Sequence, residues 1–177
     1  MKTYIVLLRG INVSGKNKLP MADLRELLSK LNFQNVQTYI QSGNIILESD
    51  KTKKQICAII KKGIHTRFGY DVPVIIRTIA EWKKVIATYP FPTNNTKIVA
   101  FVFLNQKTSE TKIEVKGIKD DEYLIDNDMI YIYCPSGFAN TKISNNMFER
   151  KLKVTATTRN YNTTLKLLEL AKDLAGF

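Results

Sequence analysis

The sequence predicts an α+β protein made of two βαββαβ repeats in tandem, each with an antiparallel sheet. Three observations carry that expectation. The order of strand-like and helix-like segments runs once from Thr3 to Thr78 and recurs from Lys97 onward. Hairpin signals sit at the same place in both runs, Ser42-Gly43-Asn44 and Asn127-Asp128. Between them lies PFPTNNT (Pro90–Thr96), a stretch made almost entirely of turn formers.

In the first run, Thr3–Arg9 is a nearly continuous apolar segment, expected for a strand buried on both faces. Pro20 suits a helix start, and Leu24, Leu27, Leu28 and Leu31 repeat at helical spacing. Val36–Gln41 and Ile45–Ser49 read as a hairpin pair. A helix ending near Gly69 carries an apolar stripe of Ile56, Ile59, Ile60, Ile64 and Phe68. That stripe leaves Lys53, Lys54, Lys61 and Lys62 on its solvated side. Val72–Thr78 closes the run, and Pro73 near its start suits an edge strand, because proline cannot donate to a ladder. This is the split βαβ order of ferredoxin-like folds, with the first and third strands central. A helix over Ile79–Tyr89 follows, with Trp82 and Ile86 facing inward.

The second run reads as a strand at Lys97–Leu104, a leucine-poor helix at Thr108–Lys116, and paired strands at Glu122–Asp126 and Met129–Cys134. Then come a helix at Thr141–Lys151, a strand at Lys153–Thr158, and a closing helix at Thr163–Leu174 with Leu165, Leu167, Leu168 and Leu174. The expected division is residues 1–89 for the first repeat with its trailing helix, 90–96 as linker, and 97–177 for the second repeat.

Several of these stretches resemble one family. LLRGINVSGKNKLPMADLRELL, TYIQSGNIIL, VPVIIRT, the YPFP turn and TTRNYNTTLKLLEL are similar to segments of the bacterial family called domain of unknown function 1697. The resemblance covers nearly the whole chain. Two positions depart from it: Tyr161 stands where a tryptophan is usual, and Asn140-Thr141 stands where an arginine-serine pair is usual. The resemblance implies a fold and leaves the activity open.

Composition excludes some function classes. No apolar run approaches the roughly 20 residues of a membrane helix, and Tyr4–Leu8 is too short for a signal-peptide core. Cys57 and Cys134 stand far apart with no CxxC pattern, which fits a reducing compartment, so the expected location is the cytoplasm. The net charge is +11 and uneven: residues 1–90 hold 15 Lys/Arg against 6 Asp/Glu, and residues 91–177 hold 12 against 10. A field of that sign draws phosphates and polyanions.

GINVSGKN (Gly10–Asn17) falls one residue short of the phosphate-binding G-x-x-x-x-G-K-[S/T] loop. Asn17 replaces the metal-binding hydroxyl, and Pro20 delays the helix whose N-terminus should face the phosphates. Nucleotide hydrolysis there is disfavoured. A simpler anion site is expected instead. The topology puts Arg9, Asn12, Lys16, Asn17 and Lys18 on one rim with Ser42, Gly43 and Asn44. The competing reading is that these are turn residues satisfying their own backbone. A second cluster is expected from CPSGFANTK and TTRNYN: Lys142, Arg159 and Asn160 as ligand-binding residues, near Ser136, Gly137 and Asn140, with Asn162 capping the last helix.

Phe101, Phe103, Tyr131 and Tyr133 alternate on two central strands, where RNA-recognition domains place stacking rings. The alternative is internal packing. One histidine, His65, leaves no Ser-His or Cys-His pair to argue, and no cluster suggests a metal. No cofactor is expected, and no catalytic residue is assigned. The leading expectation is an anionic ligand, nucleic acid or nucleotide, at the basic rim. A small-molecule enzyme with a pocket between the repeats and an interaction or dimerisation module are the alternatives, and the oligomeric state is left open.

Overall fold

The computed structural model describes residues 1–177. It is α+β, with two four-stranded antiparallel sheets and five helices. The chain divides into two compact units, Met1–Lys83 together with Leu167–Phe177, and Lys84–Lys166.

In the first unit, β1 (Lys2–Leu8), β2 (Gln34–Tyr39), β3 (Asn44–Ser49) and β4 (Val74–Thr78) lie in the order β2-β3-β1-β4. Val6 faces Ile45 on one side and Ile76 on the other, which fixes the register. One face carries Tyr4, Val6, Leu8, Ile45, Leu47, Val74 and Ile76 into a core with Leu24 and Leu28 of α1 (Met21–Lys30) and Ile56, Ile60 and Ile64 of α2 (Lys53–Phe68). The lysines of α2 are exposed as its stripe predicts. Thr52 and Gln55 form a capping box at its start, and Gly69 ends it in the left-handed region. β4 is an edge, and Pro73 stands just before it, its carbonyl accepting from Arg9 N. The hairpin strand β2 begins two residues earlier than expected and ends at Tyr39. It bulges between Gln34 and Gln37, with Asn35 at φ 49°.

The second unit repeats the strand order with β5 (Val99–Leu104), β6 (Glu122–Asp126), β7 (Met129–Tyr133) and β8 (Ala156–Asn160), arranged β6-β7-β5-β8. The helix expected at Thr108–Lys116 is absent; residues 105–121 are irregular. Ile113, Val115 and Ile118 from that stretch pack instead on the core of Ala100, Val102, Ile130 and Ile132. Ile113 and Val115 stand two apart, the period of an extended chain, and Thr108, Ser109, Thr111 and Gly117 are poor helix formers. α4 (Asn145–Leu152) starts later than expected because Ser144 caps it, its Oγ accepting from Met147 N. β8 is likewise displaced, since Lys153 at φ 53° terminates α4 before the strand can begin.

The two remaining helices are α3 (Ile79–Ala87) and α5 (Tyr161–Ala175). Trp82 is fully buried on α3. On α5 the buried residues are Thr163, Thr164, Leu167 and Ala171; of the expected leucines Leu167 is fully buried, Leu168 and Leu174 are half-buried, and Leu165 is exposed.

Candidate functional site

The end of β1, the loop 10–19 and the hairpin after β2 meet at one end of the first sheet. Leu8 N donates to Gly43 O at 2.8 Å. Asn12 joins the two loops: its Nδ2 donates to Gln41 O at 2.8 Å and to Leu19 O at 2.9 Å, and its Oδ1 accepts from Leu19 N. Asn17 Nδ2 donates to Gly10 O, and Asn44 Nδ2 to Tyr39 O and Ser42 Oγ. Thus Asn12, Asn17, Ser42 and Asn44 are brought together as the sequence implies, but with their amides and hydroxyl turned to the chain itself. Gly43 shows why the contact is so close. With φ 75°, a Cβ there would lie 2.7 Å from Leu8 Cβ and 2.9 Å from Ile11 Cδ1.

This loop is folded tightly. Gly10, Asn12, Ser14, Gly15 and Asn17 all have positive φ, and Val13 and Lys16 form an isolated bridge. Tyr70 Oη donates to Lys18 O. Lys16 and Lys18 remain exposed, and Arg9 is half-buried. Two aliphatic side chains also stand in water here, Val13 at 57% and Ile40 at 49% exposure. Ile40 has φ 49°, a conformation that a β-branched residue rarely adopts.

The second expected cluster separates into three duties. Arg159 is on the strand β8, paired with Phe101, and only 7% exposed; it donates to Thr157 Oγ1 and Thr158 O. Asn160, not Asn162, caps α5: its Oδ1 accepts from Thr163 N at 2.8 Å, and its carbonyl accepts from Thr164 Oγ1. The displaced start of β8 explains both corrections, because it draws Arg159 and Asn160 out of the loop. Of Lys142, Arg159 and Asn160, only Lys142 lines a hollow, described below.

Residues 88–91 settle the duty of the aromatic face. Tyr89 packs against Phe101 and Tyr131, with ring centroids 5.1 and 5.8 Å apart, and Phe91 stacks on Tyr133 at 5.8 Å. Tyr89 Oη donates to Ile132 O at 2.7 Å, and the Thr88 and Tyr131 hydroxyls lie 2.7 Å apart. Burial pushes the Tyr89 phenol well above the usual range and raises that of Tyr131 as well. The rings that could have stacked on bases are covered by the chain's own YPF segment, and Phe101 and Phe103 are fully buried.

Beside the start of β6 and the end of β7, burial works to raise the Asp121 carboxyl. Hydrogen bonds from Ser136 and Thr141 outweigh it and hold the group below its ordinary range. Ser136 donates twice, N to Oδ1 at 3.0 Å and Oγ to Oδ2 at 2.6 Å. Cys134, fully buried nearby, has its thiol pushed by burial up to about 11, which leaves it without nucleophilic character at neutral pH. No group of three or more His, Cys, Asp or Glu side chains could hold a metal ion. No helix is long and apolar enough to cross a membrane.

Beside this knot, Glu114, Lys116, Lys142, Met147, Arg150 and Lys151 line a groove of about 440 Å³. Of these, sequence reasoning singled out only Lys142. The extended spacing of Ile113 and Val115 is the signal that could have placed Lys116 opposite α4.

The fold and its sites define an α+β protein with basic loops. Residues 1–131 match the family model described as "Protein of unknown function (DUF1697)", and the chain belongs to that family. No curated protein matches it. Among solved structures it is similar to the conserved bacterial protein SP0830 from Streptococcus pneumoniae. The two are 22% identical with a TM-score of 0.73, over 97% of this chain and 99% of that one. At that identity the likeness speaks for the fold.

Proposed function

We propose that this is a cytoplasmic anion-binding protein of two tandem ferredoxin-like repeats, which takes up nucleic acid or nucleotide phosphate at the rim of its first unit. Both sheets have the ferredoxin-like strand order, the second with an irregular segment in place of its first helix. The division into residues 1–89 and 97–177 around a 90–96 linker belongs to this reading. One observation carries the ligand assignment. Asn12 and Asn17 stiffen the loop from within, while Lys16 and Lys18 stay exposed and take no part in the ion pairs at Glu26, Asp50, Asp71 and Glu81. A stiff loop presents its cations with little ordering entropy left to lose on binding. Arg9, beside them at the strand end, adds to the same field.

The test is fluorescence anisotropy with short single-stranded RNA and DNA and with labelled nucleotide. Lys16→Ala combined with Lys18→Ala is expected to weaken binding about tenfold at low salt and to flatten its salt dependence. Unchanged affinity would remove the rim as the site, and binding of none of the three probes would remove the reading altogether.

A further inference from the structure

We propose that the groove of the second unit is a separate binding site for a small molecule carrying two or more phosphate groups. Three stretches converge on it: Glu114–Lys116 from the irregular segment, Lys142–Ser144 from the loop after β7, and Asn146–Lys151 of α4. Four cations, Lys116, Lys142, Arg150 and Lys151, face one carboxylate, Glu114, leaving a surplus of three positive charges on one concave wall. All four are exposed, and none takes part in the ion pairs at Glu26, Asp50, Asp71 and Glu81. Cations gathered in a concavity raise one another's potential, and a multivalent anion relieves that repulsion at a single stroke. A second hollow of about 480 Å³ shares Lys142 and adds Lys119, but it also holds the Asp121 carboxylate to which Ser136 donates, so the anion belongs in the first groove.

Size and lining narrow the ligand. Each volume lies within the roughly 300–1,000 Å³ typical of small-molecule sites. No aromatic ring lines either hollow, so a nucleobase would find nothing to stack on. Val115 and Met147 offer only a narrow apolar floor. The planar fork of Arg150 suits a phosphate approached through two oxygens, with the lysines as point charges around it. The ligand is therefore a polyphosphorylated molecule on an aliphatic frame, or a phosphate chain without a frame.

Calorimetric titration of the full chain with fructose 1,6-bisphosphate, tripolyphosphate and orthophosphate tests this and separates the two sources. Binding of the bisphosphate, the tripolyphosphate or both, with orthophosphate much weaker, is the expected result. Lys142→Ala combined with Arg150→Ala should weaken binding about tenfold or more, while Lys54→Ala with Lys62→Ala, on the solvated face of α2, leaves it unchanged. Arg150→Lys should recover part of the loss and not all of it. Both altered side chains are exposed, so an unshifted melting temperature is expected and separates lost binding from lost folding. The site is overturned if neither polyphosphorylated probe binds, or if the double substitution at Lys142 and Arg150 leaves binding intact. It is also overturned if an oligonucleotide alone binds and that double substitution abolishes it, or if only the Lys16 and Lys18 changes matter.

Discussion

The two units share a strand order but cover it differently. In the first, the connection from β1 to β2 contains α1, whose Leu24 and Leu28 are fully buried on the sheet. In the second, the corresponding connection is irregular, and Ile113, Val115 and Ile118 are only half-buried against the core. The central strands β1 and β5 are nevertheless equally buried. The lesson is that these sheets are specified by their strands. A continuous apolar run flanked by two antiparallel neighbours fixes the register, and what covers the sheet can be a helix or a set of aliphatic pegs. The looser cover has a consequence: the basic groove of Lys116, Lys142, Arg150 and Lys151 opens along it.

The sharpest way to break this comparison is a pair of truncations. Leu28→Ala in the helical cover is expected to destabilise the protein by about 3 kcal/mol, and Val115→Ala in the irregular cover by about 1 kcal/mol or less. Urea unfolding followed by Trp82 fluorescence checks both. Equal losses would mean that the irregular cover is packed as tightly as the helix.

A smaller effect concerns how the irregular segment is anchored. Asp121→Asn is expected to remove about 1–2 kcal/mol at neutral pH, because Ser136 and Thr141 then lose a charged acceptor. The folded carboxyl is held below its unfolded value of about 3.9, so its stabilisation is complete above that pH and disappears as pH falls through the folded value. The melting temperatures of the two proteins should therefore converge in acid. A constant gap across the acid range would show that charge is not what anchors the segment.

The smallest effect runs the other way. Ile40→Asn is expected to stabilise by about 1 kcal/mol, because asparagine accepts the left-handed conformation that isoleucine resists. A fall in melting temperature would show that the half-exposed isoleucine contributes more packing than its backbone loses.

Much of this fold was legible in advance. Thr3–Arg9 announced a central strand, the stripe from Ile56 to Phe68 placed α2 with its lysines outward, and Pro73 marked an edge. The failures share one cause, which is that short-range pattern cannot see caps. Ser144 and Lys153 set the limits of α4, and so moved β8 and carried Arg159 onto a sheet face. Asn160 then took the capping duty expected of Asn162. At Thr108–Lys116 the leucine-poor helix fails to form, and Ile113 and Val115 stand two apart, the spacing of an extended chain. The rim was legible as a place, since topology alone puts Asn12 beside the hairpin. How its amides are used was not, because hydrogen-bond partners depend on three-dimensional closure.

The strap formed by Thr88, Tyr89 and Phe91 bears on how this protein can be handled. It shields three rings of the β5–β7 surface, Phe101, Tyr131 and Tyr133, with two aromatic plugs and a pair of hydroxyl and carbonyl latches. Replacing it with a glycine-serine tether of equal length would leave an adhesive, greasy plate in water, so material made that way should self-associate and clear from solution as its concentration rises.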